Sequence, residues 1–233
     1  MAQTAAPAGA PPGPLPQARF ENTIAQRTLA CVACHGENGR AGPDGYYPRL
    51  AGKPAGYLYN QLLNFRDGRR HYGLMTSMVD PLGNAYLMEI AQYFASLDVP
   101  YPVPQPVQAT REALQRGETL ALRGDATRQL PACVQCHGQA LTGVQPATPG
   151  LLGLPRDYLN AQLGAWRTSQ RRAHAPDCMK EVANRLSPDD VAAVSGWLAT
   201  QPLPAITKPA AALPEKLPME CGSAPPPGRE ARP

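Results

Sequence analysis

Apolar residues in this chain recur at helical spacing and almost nowhere alternate. In "TREALQRGETLALRGD", from Thr110, positions Ala113, Leu114, Gly117, Leu120 and Ala121 fall on one face, which predicts an amphipathic helix. Thr110 stands where a cap belongs, and Glu112 lies in the first turn. "PRDYLNAQLGAWRTSQ" predicts another helix, with Pro155 near its start. "SPDDVAAVSGWLATQ" predicts a third, with Ser187 as cap, Pro188 at the first helical position and two acids in the first turn. "PAGYLYNQLLNFRDG" and "GNAYLMEIAQYFASL" occupy the corresponding places earlier in the chain. Strand signals are lacking, so the expected fold class is all-α.

The helical segments belong to an internal repeat. "YYPRLAGKPAGYLYNQLLNFRDG" aligns with "ATPGLLGLPRDYLNAQLGAWRTS" at an offset of 101 residues. Pro48 then matches Pro149, Leu50 matches Leu151, Gly52 matches Gly153, Tyr57 matches Tyr158, Gln61 matches Gln162 and Phe65 matches Trp166. Between the copies, "YPVPQPVQ" sets proline at close intervals, which blocks helix and sheet pairing and favours stiff, extended chain. The expected organisation is a Pro/Ala-rich arm (1–19), a first unit (20–99), a linker (100–109), a second unit (110–204) and a Pro-rich tail (205–233).

Composition narrows the class further. With 43% hydrophobic and 17% charged residues, the 233-residue chain can build two small cores. The formal charge of +4 is concentrated only at Arg69/Arg70 and Arg171/Arg172, too sparse for nucleic acid. These pairs are expected on solvated faces, where they would suit an acidic partner. No apolar run reaches the length of a transmembrane helix. The opening segment reads as a mature amino terminus, its export signal removed.

Four of the six cysteines carry the chemistry. "CVACH" (Cys31–His35) and "CVQCH" (Cys133–His137) each match the attachment signature of c-type haem. Two thiols three apart on a helical turn reach both vinyl groups of one porphyrin, and the adjacent histidine then faces the iron. Cys31, Cys34, Cys133 and Cys136 are therefore the expected covalent sites for two haem c groups, with His35 and His137 as axial ligands. A zinc site lacks its second ligand pair, and a thioredoxin-type motif lacks its βαβ context. Covalent haem of this kind is made outside the cytoplasm, so the protein is expected to be exported.

The second axial ligand follows from the repeat. Met75 lies seven residues before Leu82, and Met179 seven before Leu186. In that register Met78 faces Val182, Cys178 faces Leu74 and His174 faces Arg70, so only methionine recurs. Met75 and Met179 are the expected distal ligands, and Met78 is the rival for the first haem. Met88 is expected in the core, and His71 and His174 in solvated loops. Pro48 and Pro149 are candidates to offer a carbonyl to the other ring nitrogen of each haem histidine. Cys178 and Cys221 remain; an exported chain usually pairs such a remainder, which would tie the tail beside the second haem. Closing a loop of about forty residues would contribute about 3–4 kcal/mol in the chain-entropy picture. Free thiols, or Cys178 on iron, are the alternatives. Leu50, Leu62, Leu151, Leu163 and Trp197 are expected to shield the porphyrins.

"CxxCHG", then "P-x-L-x-G", then "YL-x-x-QL", then methionine before a final helix, all twice, resembles the dihaem class I cytochromes c, and the cytochrome c4 family above all. The resemblance covers residues 25 to 203. It implies two helical domains packed head to head with haem propionates near the seam, and outer-sphere electron transfer in the periplasm. The partners it implies are a terminal oxidase, a bc1-type complex or a periplasmic dehydrogenase, with a place at the membrane surface compatible. A thiosulfate-dehydrogenase-like dihaem enzyme with Cys178 on iron is a further alternative.

Overall fold

The computed structural model describes residues 20–42, 45–104 and 106–224, so the arm at 1–19 and the last nine residues lie outside the described part. Two helical units follow one another along the chain. The first holds α1 (Ile24–Arg27), α2 (Leu29–His35), α3 (Ala55–Arg66), α4 (Gly73–Val79) and α5 (Asn84–Ser96). The second holds α6 (Arg111–Leu122), α7 (Cys133–His137), α8 (Arg156–Arg167), α9 (Cys178–Arg185) and α10 (Pro188–Thr200).

Each unit closes on its own core. Leu58, Phe65, Leu87, Ile90 and Phe94 are buried together in the first. Leu120, Leu159, Leu186, Val194 and Leu198 are buried together in the second. In the second unit α6 crosses α10 so closely that a Cβ on Gly117 would stand 2.2 Å from the Ala193 carbonyl oxygen. Trp197 packs at this crossing, where its Cβ would be 2.8 Å from a Cβ on Gly117, and is not among the residues lining the haem-motif cavity, contrary to its expected shielding role. In the first unit the same place is taken by the four-residue α1, held to α5 by the Arg27–Glu89 ion pair and by Arg27 over the Tyr86 ring.

Caps set the helix starts. The Thr110 hydroxyl accepts from the Ala113 amide at 3.2 Å, and Ser187 and Asp190 form a reciprocal capping box on α10. Asp190 is 5% exposed and also accepts from Arg116 at 2.9 Å and Arg128 at 2.6 Å. Gly83 begins α5 with no side-chain cap. Pro155 and Pro54 stand at the N-cap positions of α8 and α3, one residue earlier than the first helical turn.

Two short strands were not expected. β1 (Gly143–Val144) and β2 (Thr148–Pro149) pair antiparallel, and Ala210 of the tail joins β1 through hydrogen bonds of 2.8 and 2.9 Å. Strands of two residues are too short to leave an alternating pattern.

The units meet along a pseudo-twofold seam. Arg70 and Arg171 pair as an antiparallel bridge, flanked by His71 N–H to Gln170 O at 3.0 Å and Arg172 N–H to Arg69 O at 2.6 Å. Arg70 donates to Gln61 (3.0 Å) and Gln162 (2.7 Å), and Arg171 donates to the same two (3.0 and 2.7 Å). Arg70 lies over the Phe65 ring and Arg171 over Trp166. The expectation of solvated basic patches is therefore overturned at this pair: Arg171 is 4% exposed. Glutamine acceptors and aromatic faces from both units offset the loss of water around each guanidinium. The spatial counterpart of Arg70 is thus Arg171 and not His174. Three extra residues accordingly lie between Arg171 and Met179.

The linker is clamped to the first unit. Buried Arg49 donates to Ala51 O (3.1 Å), Pro100 O (3.0 Å) and Val99 O, and its guanidinium lies 3.9 Å from the Tyr101 ring centroid. Tyr101 also lies against Gly153 of the second unit, where a Cβ would stand 2.4 Å from the ring.

Candidate functional site

Each haem motif opens onto a cavity. The first is lined by Cys31, Cys34, His35, Met75 and Met78, with Leu50, Leu62 and Phe94 among its apolar walls. Cys133, Cys136, His137 and Met179 line the second, with Leu151, Leu163 and Leu198.

Short-range geometry fixes the histidines. Each motif is a short helix that stops at glycine; Gly36 takes φ 72°, and a Cβ there would stand 2.4 Å from the Ala41 carbonyl oxygen. His35 Nδ1 lies 2.8 Å from Pro48 O, and His137 Nδ1 lies 2.7 Å from Pro149 O. A carbonyl only accepts, so Nδ1 must carry the proton, and Nε2 keeps its lone pair. Burial pushes both imidazoles below their ordinary pKa, favouring the neutral form that binds a metal.

Sulfur surrounds both cavities. Burial pushes the Cys133 thiol up to about 12 and raises Cys31 and Cys136 as well, which disfavours their thiolate forms. Met75 packs against the first core, whereas Met78 is 42% exposed. Met88 packs against that core too. His71 is exposed. His174 differs from its expected solvated place: it is half-buried and lines the second cavity.

The tail forms part of the second cavity wall. Cys178 and Cys221 form a disulfide with Cα atoms 5.0 Å apart. Gly222 N–H donates to Pro176 O at 2.9 Å, and His174 N–H to the Ser223 hydroxyl at 3.3 Å. Asn60 of the first unit donates to Ser223 O at 3.3 Å. Leu217 and Met219 line the cavity from this segment. Met219 was missed from sequence; its position two residues before Cys221 becomes informative only once the Cys178 pairing is accepted.

At the seam the two cavities share Lys53, Tyr57, Gln61, Tyr158, Gln162 and Arg171. Lys53 is 8% exposed. Among the described residues, neither Lys53, Arg70 nor Arg171 has a carboxylate within ion-pair distance. Sequence reasoning noted the repeated tyrosines and glutamines only as repeat markers; polar residues held at matched places on two amphipathic helices were the signal of an interface.

The residues fit haem c. Each cavity offers two thiols, a histidine whose Nε2 is left free by the Nδ1 contact, a methionine and apolar walls, the donor set and apolar lining that haem c requires.

Comparison with known proteins agrees. The Cytochrome c family model matches residues 22–93. A thiosulfate dehydrogenase electron acceptor from Thiomonas intermedia is 41% identical over 75% of this chain and 79% of its own length. The structure of reduced recombinant cytochrome c4 from Pseudomonas stutzeri superposes with TM-score 0.63 at 30% identity, covering 76% of this chain and 95% of that one. Thiosulfate dehydrogenase TsdBA from Marichromatium purpuratum gives TM-score 0.69 at 33% identity, over 77% of this chain and 39% of that longer one. The chain thus binds two haem c groups covalently and transfers electrons between redox partners. It belongs to the dihaem cytochromes c that include cytochrome c4 and the thiosulfate dehydrogenase electron acceptors.

Proposed function

We propose that the protein is a periplasmic two-haem relay that accepts electrons from a thiosulfate-oxidising dehydrogenase and passes them to a terminal oxidase. The observation that carries the donor is the 41% identity to a thiosulfate dehydrogenase electron acceptor. Oxidation of two thiosulfates to tetrathionate releases two electrons, one for each haem. Bound haem would supply a one-electron couple at each site.

In this reading Cys31, Cys34, Cys133 and Cys136 would hold the haems covalently, and His35, Met75, His137 and Met179 would ligate their irons. Pro48 and Pro149 keep the histidines in one tautomer and one orientation. The apolar walls exclude water, so little reorganises when charge changes. Arg70, Arg171, Gln61 and Gln162 hold the two cavities in one register, giving a fixed path between them.

Rapid mixing tests the donor. The ferric protein should be reduced by thiosulfate plus a thiosulfate dehydrogenase at least tenfold faster than an unrelated class I cytochrome c, and not by thiosulfate alone. Equal rates for both acceptors would remove the proposed donor and leave a general carrier.

A further inference from the structure

One buried donor beside the seam lacks a partner. The Trp166 indole Nε1 is buried, and among the described residues no acceptor lies within hydrogen-bonding reach of it. Trp166 lines the second cavity and not the first. Among the described residues, no other residue lining either cavity carries a buried side-chain polar atom without a partner. Buried N–H groups are nearly always paired, so this one calls for an acceptor that the polypeptide does not supply.

The indole is held in place. The Arg171 guanidinium lies 3.8 Å from its ring centroid, and Arg171 is itself fixed by donation to Gln162 (2.7 Å), Gln61 (3.0 Å) and the Tyr57 hydroxyl (3.4 Å). The first unit repeats this stack with one change: Arg70 lies over Phe65, which lines the first cavity and has no N–H to offer. A haem c carries methyl groups, thioether bridges and two propionates around its rim, and only the propionate carboxylates are strong hydrogen-bond acceptors. We propose that Trp166 is a positioning residue for the second haem, its indole N–H donating to a propionate carboxylate, a contact that Phe65 withholds from the first.

The physics has a definite sign. A donor on an ionised carboxylate makes a charge-assisted hydrogen bond and draws off part of its negative charge. Taking up one electron from a redox partner makes the haem more negative, which a nearby carboxylate opposes. The Trp166 contact therefore favours the ferrous state of the second haem. Only the part of the bond that changes with redox state moves the potential, so the shift is small.

This inference rests on the two-haem reading, and the experiment separates the two. The dihaem protein is produced with 5-aminolevulinate carrying a heavy-isotope label in its carboxyl carbon, which marks the haem propionates. Wild type and Trp166→Phe are then titrated by redox-difference infrared spectroscopy. The wave of the second haem is identified as the one displaced by Met179→Ala. Trp166→Phe leaves a ring under Arg171 and removes the donor. It should move a labelled carboxylate band that belongs to the second wave and shift that wave about threefold towards ferric, about 28 mV lower for a one-electron couple. The bands of the first wave should stay in place. Unmoved carboxylate bands in the second wave, or equal movement in both waves, overturns the proposal. Should Trp166→Phe not fold, ultraviolet resonance Raman of Trp197→Phe, whose one remaining indole is Trp166, decides instead. A strong-acceptor signal supports the contact, and a weak one overturns it. Two intact far-red sulfur-to-iron bands with unmoved carboxylate bands reject the role of Trp166 alone, whereas a wild type lacking one of those far-red bands rejects the reading beneath it.

Discussion

Met75 and Met78 stand one helical turn apart on α4 and both line the first cavity, so residue type alone does not choose between them. The repeat register favours Met75, and its packing against the core agrees, while Met78 is turned further towards solvent. Met75→Ala should remove one of the two far-red sulfur-to-iron bands and lower the potential of one haem; Met78→Ala should leave both bands. Absorption spectra of the ferric variants read this directly, and the opposite pattern would move the ligand to Met78. The haem motifs, the carbonyl partners Pro48 and Pro149 and the Cys178 pairing were all legible, because each rests on short spacing or on counting. Lys53 and Met219 were not, because each reaches its cavity from a segment whose path the local sequence does not encode.

Among the elements, α10 depends on a carboxylate. Burial alone would raise the Asp190 carboxyl, but Arg128, the Ser187 amide and Arg116 outweigh it and hold it well below the usual carboxylate range. A folded-state value below the unfolded one stabilises the fold above about pH 4 and loses that contribution as pH falls towards the folded value. Asp190→Asn should destabilise the second unit by about 3 kcal/mol at neutral pH and flatten its stability profile on the acid side. Denaturant titrations of wild type and variant at several pH values measure both effects. Equal acid sensitivity in the two would assign the dependence elsewhere. The acids in the first turn of α10 were legible as helix-start signals, and the Ser187 cap was correct. The partners of Asp190, Arg116 and Arg128, come from α6 and the turn after it, so the network appears only when the chain folds back.

In the whole molecule the two units look alike in sequence and differ in cover. The repeat, the helical class and the order of elements were readable from periodicity. The seam was not, because Arg70 and Arg171 look like surface charges until the pseudo-twofold brings four polar side chains around them. Among the described residues, the tail, fastened by a disulfide between residues 43 apart, lies over the second cavity and not the first. Cys221→Ser should free it, lowering stability by about 3–4 kcal/mol and speeding cyanide binding at the second haem only. Stopped-flow cyanide binding against chemical denaturation separates these effects, and unchanged cyanide kinetics would show that the tail is no barrier.

That same tail is a remote part of the second site. Leu217, Met219 and Ser223 stand far along the chain from Met179 yet form part of its cavity wall, beside the bond between Cys178 and Cys221. Losing the carboxyl-terminal segment would therefore remove wall from the second cavity while leaving every repeated motif of that unit in place.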